Sequence, residues 1–94
     1  MTVPAALTQE LPDRDQLYQE IAAGNGLGLA EAARRLPPSR RGQPVSTATM
    51  TRWIVRGLIG PDGKQVYLAA ARAGGRWVTT EAALRRFLAA LTPA

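Results

Sequence analysis

With 94 residues, 46% of them hydrophobic, the chain is sized for one domain with a single modest core. It has no cysteine and no histidine, which excludes a disulfide framework and removes the commonest general base and the commonest metal ligands; no apolar run approaches the roughly 18–20 residues of a membrane span. The net charge of +5 is uneven: through residue 30, Glu10, Asp13, Asp15 and Glu20 face Arg14 alone, whereas residues 31–94 hold ten arginines and Lys64 against Glu31, Asp62 and Glu81.

Residues 1–12 contain Pro4 and Pro12 with little periodicity and read as a flexible arm ahead of one domain over 13–94. A first, accessory helix is expected over 13–23. Asp13 and Gln16 form a variant capping box, Leu17 and Ile21 stand one turn apart, and Gly24-Asn25-Gly26 ends the helix. The pattern restarts over 27–36, where Leu29, Ala32, Ala33 and Leu36 make one stripe with Glu31, Arg34 and Arg35 outside it. The two alanines allow another helix to approach closely, and Pro37-Pro38 stops the run. The connection PSRRGQP holds Arg40 and Arg41, which can grip phosphate or serve only as solvated loop charges.

The stretch VSTATMTRWIVRGL organises the rest and predicts a helix over 46–57. Ser46 caps its start and Gly57 takes the left-handed stop. Met50, Trp53 and Ile54 share the inner face, Ala48, Thr51, Arg52 and Val55 point outward, and Thr47 and Arg56 flank them. A helix with a small outer face bearing threonine and arginine has the size and chemistry for a DNA major groove.

Gly60 to Lys64 is a dense turn signal, followed by an extended stretch over 66–79 with Gly74-Gly75 as a two-residue connection. That loop length sets Ala73 opposite Arg76 and Arg72 opposite Trp77. Glycines at the tip allow close approach to a nucleic-acid backbone, where Arg72 and Arg76 can bond phosphates or enter a minor groove. The same hairpin can also close the core with Trp77, and both tryptophans are expected to anchor it. Thr80 caps a last helix over 80–91, with Leu84, Phe87, Leu88 and Leu91 inward and Arg85 and Arg86 outward as solubilising charges. The expected fold is therefore mostly α with a small β-hairpin: a winged helix-turn-helix of three to four helices plus a two-stranded wing.

The strings LAEAARRL, VSTATMTRW with Gly57-Leu58, and GGRWVTTEAALRRFL resemble small winged helix-turn-helix proteins related to phage excisionases and to the DNA-binding domains of MerR-type regulators. The resemblance covers roughly residues 27–91. It implies that the helix after Ser46 lies in the major groove, that the hairpin touches the flanking backbone, and that copies act in pairs or head-to-tail rows that bend DNA. Thr47, Thr51 and Arg52 are then groove-facing, Arg72 and Arg76 are wing contacts, and Trp53 is core. Two departures stand out. The PSRRGQP connection is longer than the tight turn common in these families, and Thr51 replaces an arginine frequent in MerR-type domains. With no effector domain or coiled coil following, a ligand-sensing regulator is not expected.

These readings converge on a cytoplasmic accessory or regulatory protein that binds double-stranded DNA, of the directionality-factor or small transcriptional-regulator kind. Its contacts are Arg40, Arg41, Thr47, Thr51, Arg52, Arg56, Arg72 and Arg76. Self-association on DNA as a dimer or array is compatible, and neither a cofactor, a metal, a small-molecule substrate nor a membrane is called for. Enzyme activity is not expected: the serines are Ser39 and Ser46 alone, the carboxylates are scattered, and no glycine run fits a phosphate loop. The competing class is a protein-interaction module, such as a phage assembly or packaging adaptor, in which the outward Val55 meets a protein partner.

Overall fold

Hydroxyl caps fix where the two longest helices begin. In the computed structural model, which describes residues 14–37 and 42–93, Ser46 Oγ accepts from the Thr49 amide at 3.1 Å and opens α3, Thr47–Val55. Thr80 Oγ1 accepts from the Ala83 amide at 3.0 Å and opens α4, Glu81–Leu91. Each cap satisfies a donor that the first turn leaves unpaired. α3 ends at Arg56, and Gly57 follows with φ of 71°. A Cβ there would collide with the Val66 carbonyl, so both the backbone angle and the close approach require glycine.

Before α3, helix α1 covers 14–20 and runs into a single π turn, Ile21–Asn25. Strand β1, Gly26–Gly28, and helix α2, Leu29–Arg34, come next. After α3 the chain forms β2, Leu58–Ile59, β3, Gln65–Val66, β4, Ala71–Ala73, and β5, Arg76–Thr80. β2 and β3 pair as a short antiparallel ribbon around the Gly60–Lys64 turn. β4 and β5 form the hairpin with Ala73 opposite Arg76 and Arg72 opposite Trp77. Gly74 and Gly75 both have positive φ, at 60° and 83°, which is the twist a two-residue loop needs.

The expected mostly helical chain with one small two-stranded wing does not hold. β5 also pairs antiparallel with β1, through Gly26–Thr80, Leu27–Thr79 and Gly28–Val78, so the sheet is three-stranded in the order β1-β5-β4. The separate β2–β3 ribbon adds further strand. Leu27 and Gly28, assigned from periodicity to the helix over 27–36, belong to this sheet, and α2 starts only at Leu29. The physical reason is competition for hydrogen bonds: β5 has two edges, the hairpin fills one, and the segment leaving α1 fills the other. The stretch over 66–79 is likewise divided, with Val66 in the ribbon and the hairpin beginning at Ala71. Helical geometry breaks at Gly24, whose φ is 92° within the Ile21–Asn25 π turn, where the sequence sets the end of the first helix; Asp13 and the arm before it lie outside the described residues.

The core is Leu17, Ala32, Ala33, Met50, Leu68, Ala83, Leu84 and Phe87. Its three alanines let α2 and α4 sit close to their neighbours, at the cost of little apolar area per residue. Trp53 packs against this cluster, its ring 5.2 Å from that of Phe87. Trp77 does not share the anchoring role expected of it: it is not among the side chains packed against this cluster and carries Arg72 over its ring instead. Two buried threonines join β5 to the rest. Thr79 Oγ1 donates to the Ala69 carbonyl at 2.8 Å, and Thr80 Oγ1 donates to Glu20 Oε1 at 2.7 Å. Among the described residues no helix is long and apolar enough to cross a membrane.

Candidate nucleic-acid interface

α2 packs beside α3, and β5 lies along α2, so the start of α3 and the tip of the hairpin open onto one groove. Glu31 and Arg34 from α2, Thr47 and Thr51 from α3, and Arg72 and Arg76 from the hairpin line it. Four of the residues expected to meet DNA thus come together. Thr51 Oγ1 donates its proton to the Thr47 carbonyl at 2.9 Å, which leaves its methyl and lone pairs for an incoming partner. Arg72 lies with its guanidinium carbon 4.9 Å from the Trp77 ring centroid, a cation–π contact that holds the charge against a rigid platform at the hairpin.

The other expected contacts are placed differently. Arg52 is exposed, and its Nη2 donates to Thr49 Oγ1 at 3.3 Å; Thr49 and Ser46 share a 2.9 Å hydroxyl bond. The Arg52 charge is thereby drawn toward the capped end of α3 rather than left loose. Arg56 sits at the far end of the helix, separated from Thr47 by nine residues, or about 13 Å at the usual helical rise. Its carbonyl accepts from Gln65 Nε2 of β3, so it belongs beside the ribbon and not in the groove. Arg40 and Arg41 lie outside the described residues.

The arginines divide by partner. Arg34 and Arg35 pair with Glu31 at 3.1 and 3.5 Å, Arg35 pairs again with Glu81 at 2.9 Å, and Arg85 pairs with Glu81 at 2.7 Å. Arg86 holds Glu20 through two hydrogen bonds of 2.9 and 3.2 Å. Among the described residues, Arg52, Arg56, Arg72 and Arg76 have no carboxylate partner. Arg14 of α1 and Lys64 of the β2–β3 turn likewise lack one, but the unpaired arginines gathered around the groove are those of α3 and the hairpin. The sequence presents Arg85 and Arg86 as mainly solubilising charges; Arg86 ties α4 to α1.

Sequence reasoning missed Arg34 as a groove residue. The Glu31-x-x-Arg34 spacing signals an ion pair on one helix face, but only the packing of β5 on α2 brings that face beside Arg76. Compared with protein-family models, with curated proteins and with solved structures, the chain gives no match in any of the three.

Proposed function

We propose that the chain binds double-stranded DNA as an accessory or regulatory protein, with α3 entering the major groove and the β4–β5 hairpin resting on the adjoining backbone. The observation that carries this reading is the division of the arginines. Every described arginine of α2 and α4 has a carboxylate within the molecule, whereas those of α3 and the hairpin face solvent without one. A face of uncompensated guanidinium groups around a small-residue helix suits phosphates on either side of base edges. Thr47 and Thr51 offer hydroxyl and methyl groups to those edges, a chemistry that includes the thymine methyl. The sequence resemblance to excisionases and MerR-type regulators supports the same partner.

Binding of fluorescent random duplexes, followed by anisotropy across a salt series, tests the reading. With four to five phosphates neutralised, the log–log slope of affinity against salt is expected at about −4. Arg76→Ala should flatten that slope by about one. Salt-insensitive or absent binding at low salt would sink the proposal. It would turn attention to the second reading, a protein-interaction module, which rests on Val55, Leu58 and Ile59. These stand exposed at 60%, 41% and 67% between the end of α3 and β2.

A further inference from the structure

The groove contains one cation that is not free. Arg34 of α2 lines it with Thr47, Thr51, Arg72 and Arg76, yet its guanidinium is bonded to Glu31 at 3.1 Å. Glu31 is not Arg34's alone. Arg35 approaches its other carboxylate oxygen at 3.5 Å, and Arg35 in turn bonds Glu81, which bonds Arg85. The result is a relay, Arg34–Glu31–Arg35–Glu81–Arg85, in which Glu31 keeps a cation beside it whether or not Arg34 stays. The Arg34 side chain is 68% exposed, the Glu31 side chain 45%. An exposed pair of this kind is held weakly, and its geometry on one helix turn permits Arg34 to rotate away.

Resting on the DNA-binding reading, we propose that Arg34 is a reserve phosphate contact, that Glu31 competes with phosphate for it, and that Arg35 takes over Glu31 when Arg34 leaves. Glu31 is then a tuning residue: by holding Arg34 it lowers affinity for phosphate in the groove. Because Arg35 remains beside it, the exchange strands no carboxylate. A phosphate group at the mouth of the groove can accept from the Arg34 guanidinium through two of its oxygens, as a carboxylate can.

The experiment is a double-mutant cycle of Glu31→Gln and Arg34→Gln, read by anisotropy on a fluorescent duplex across a salt series, with Arg35→Gln and Arg76→Gln alongside. Thermal melts confirm that each variant is folded, as expected for exposed positions. Glu31→Gln is expected to tighten binding about two- to fivefold, the scale of one exposed ion pair. Arg34→Gln should reduce the salt slope by about one. In the Arg34→Gln background the gain from Glu31→Gln should disappear. Arg35→Gln, which leaves Arg34 as the main partner of Glu31, should weaken binding. An equal gain from Glu31→Gln with or without Arg34 would overturn the competition and leave only a bulk charge effect. An unchanged slope in Arg34→Gln would overturn the reserve contact. In either case, retained salt dependence that Arg76→Gln diminishes leaves the DNA reading standing. No duplex binding by the wild type overturns both.

Discussion

The two sides of the molecule use arginine differently. On the side of α1 and α4, Arg86 is bound by Glu20 and Glu20 by the buried Thr80, so charge there fastens one element to another. On the side of α3 and the hairpin, Arg52 and Arg72 are positioned by a hydroxyl and an aromatic ring, neither of which neutralises them. The same residue type does two jobs, and the partner decides which. A carboxylate consumes the charge for cohesion, whereas a neutral partner orients the charge and leaves it available to an outside anion.

The sharpest way to break this comparison is through the core that both sides share. Phe87→Ala removes a buried ring from α4 and its contact with Trp53, and should cost about 3–5 kcal/mol of stability by chemical denaturation. DNA affinity per folded molecule should be unaltered if the binding face is separate. Next in size, Arg52→Ala should cost about 1–3 kcal/mol of binding with stability nearly unchanged. A loss that varies with duplex sequence would give Arg52 a base edge, and a uniform loss would give it a phosphate.

Glu20→Gln tests the fastening side and should reduce stability by about 1–2 kcal/mol at neutral pH while leaving binding intact. This effect carries a pH signature. The hydrogen bond from Arg86 holds the Glu20 carboxyl below the usual glutamate range, opposed by desolvation and helped by the Thr80 hydroxyl and the Arg86 charge. The unfolded chain therefore takes up this proton at a higher pH than the folded one. The stabilisation is complete above the ordinary glutamate value and is lost as pH falls through the lower, folded one. Denaturation curves of wild type and Glu20→Gln should accordingly converge on acidification; a constant gap would deny Glu20 its ionised role. The smallest effect is expected from Arg85→Ala, whose partner Glu81 is exposed and also holds Arg35. A change within about 0.5 kcal/mol in stability, and little in binding, is the outcome that fits.

Much of the local structure was legible because it rests on interactions between near neighbours in sequence. Ser46 and Thr80 reach amides three residues on, Gly57 stops α3 where a side chain would meet backbone, and Gly74-Gly75 sets the hairpin register. The third strand was not legible. Gly26–Gly28 has little strand propensity of its own and directly precedes the helical stripe that begins at Leu29; only the free edge of β5, distant in sequence, makes it a strand.

The candidate site divides in the same way. Sequence placed threonines and arginines on one helix face and arginines at one hairpin tip, since periodicity and loop length fix those positions without reference to the rest of the chain. Only the tertiary structure decided which charges remain available. It brought Glu81 to Arg35 and Glu20 to Arg86, set Arg34 beside the hairpin, and moved Arg56 out of the groove. The reason is the range of the interactions: caps and turns act over three or four residues, whereas an ion pair depends on where two separate elements are packed.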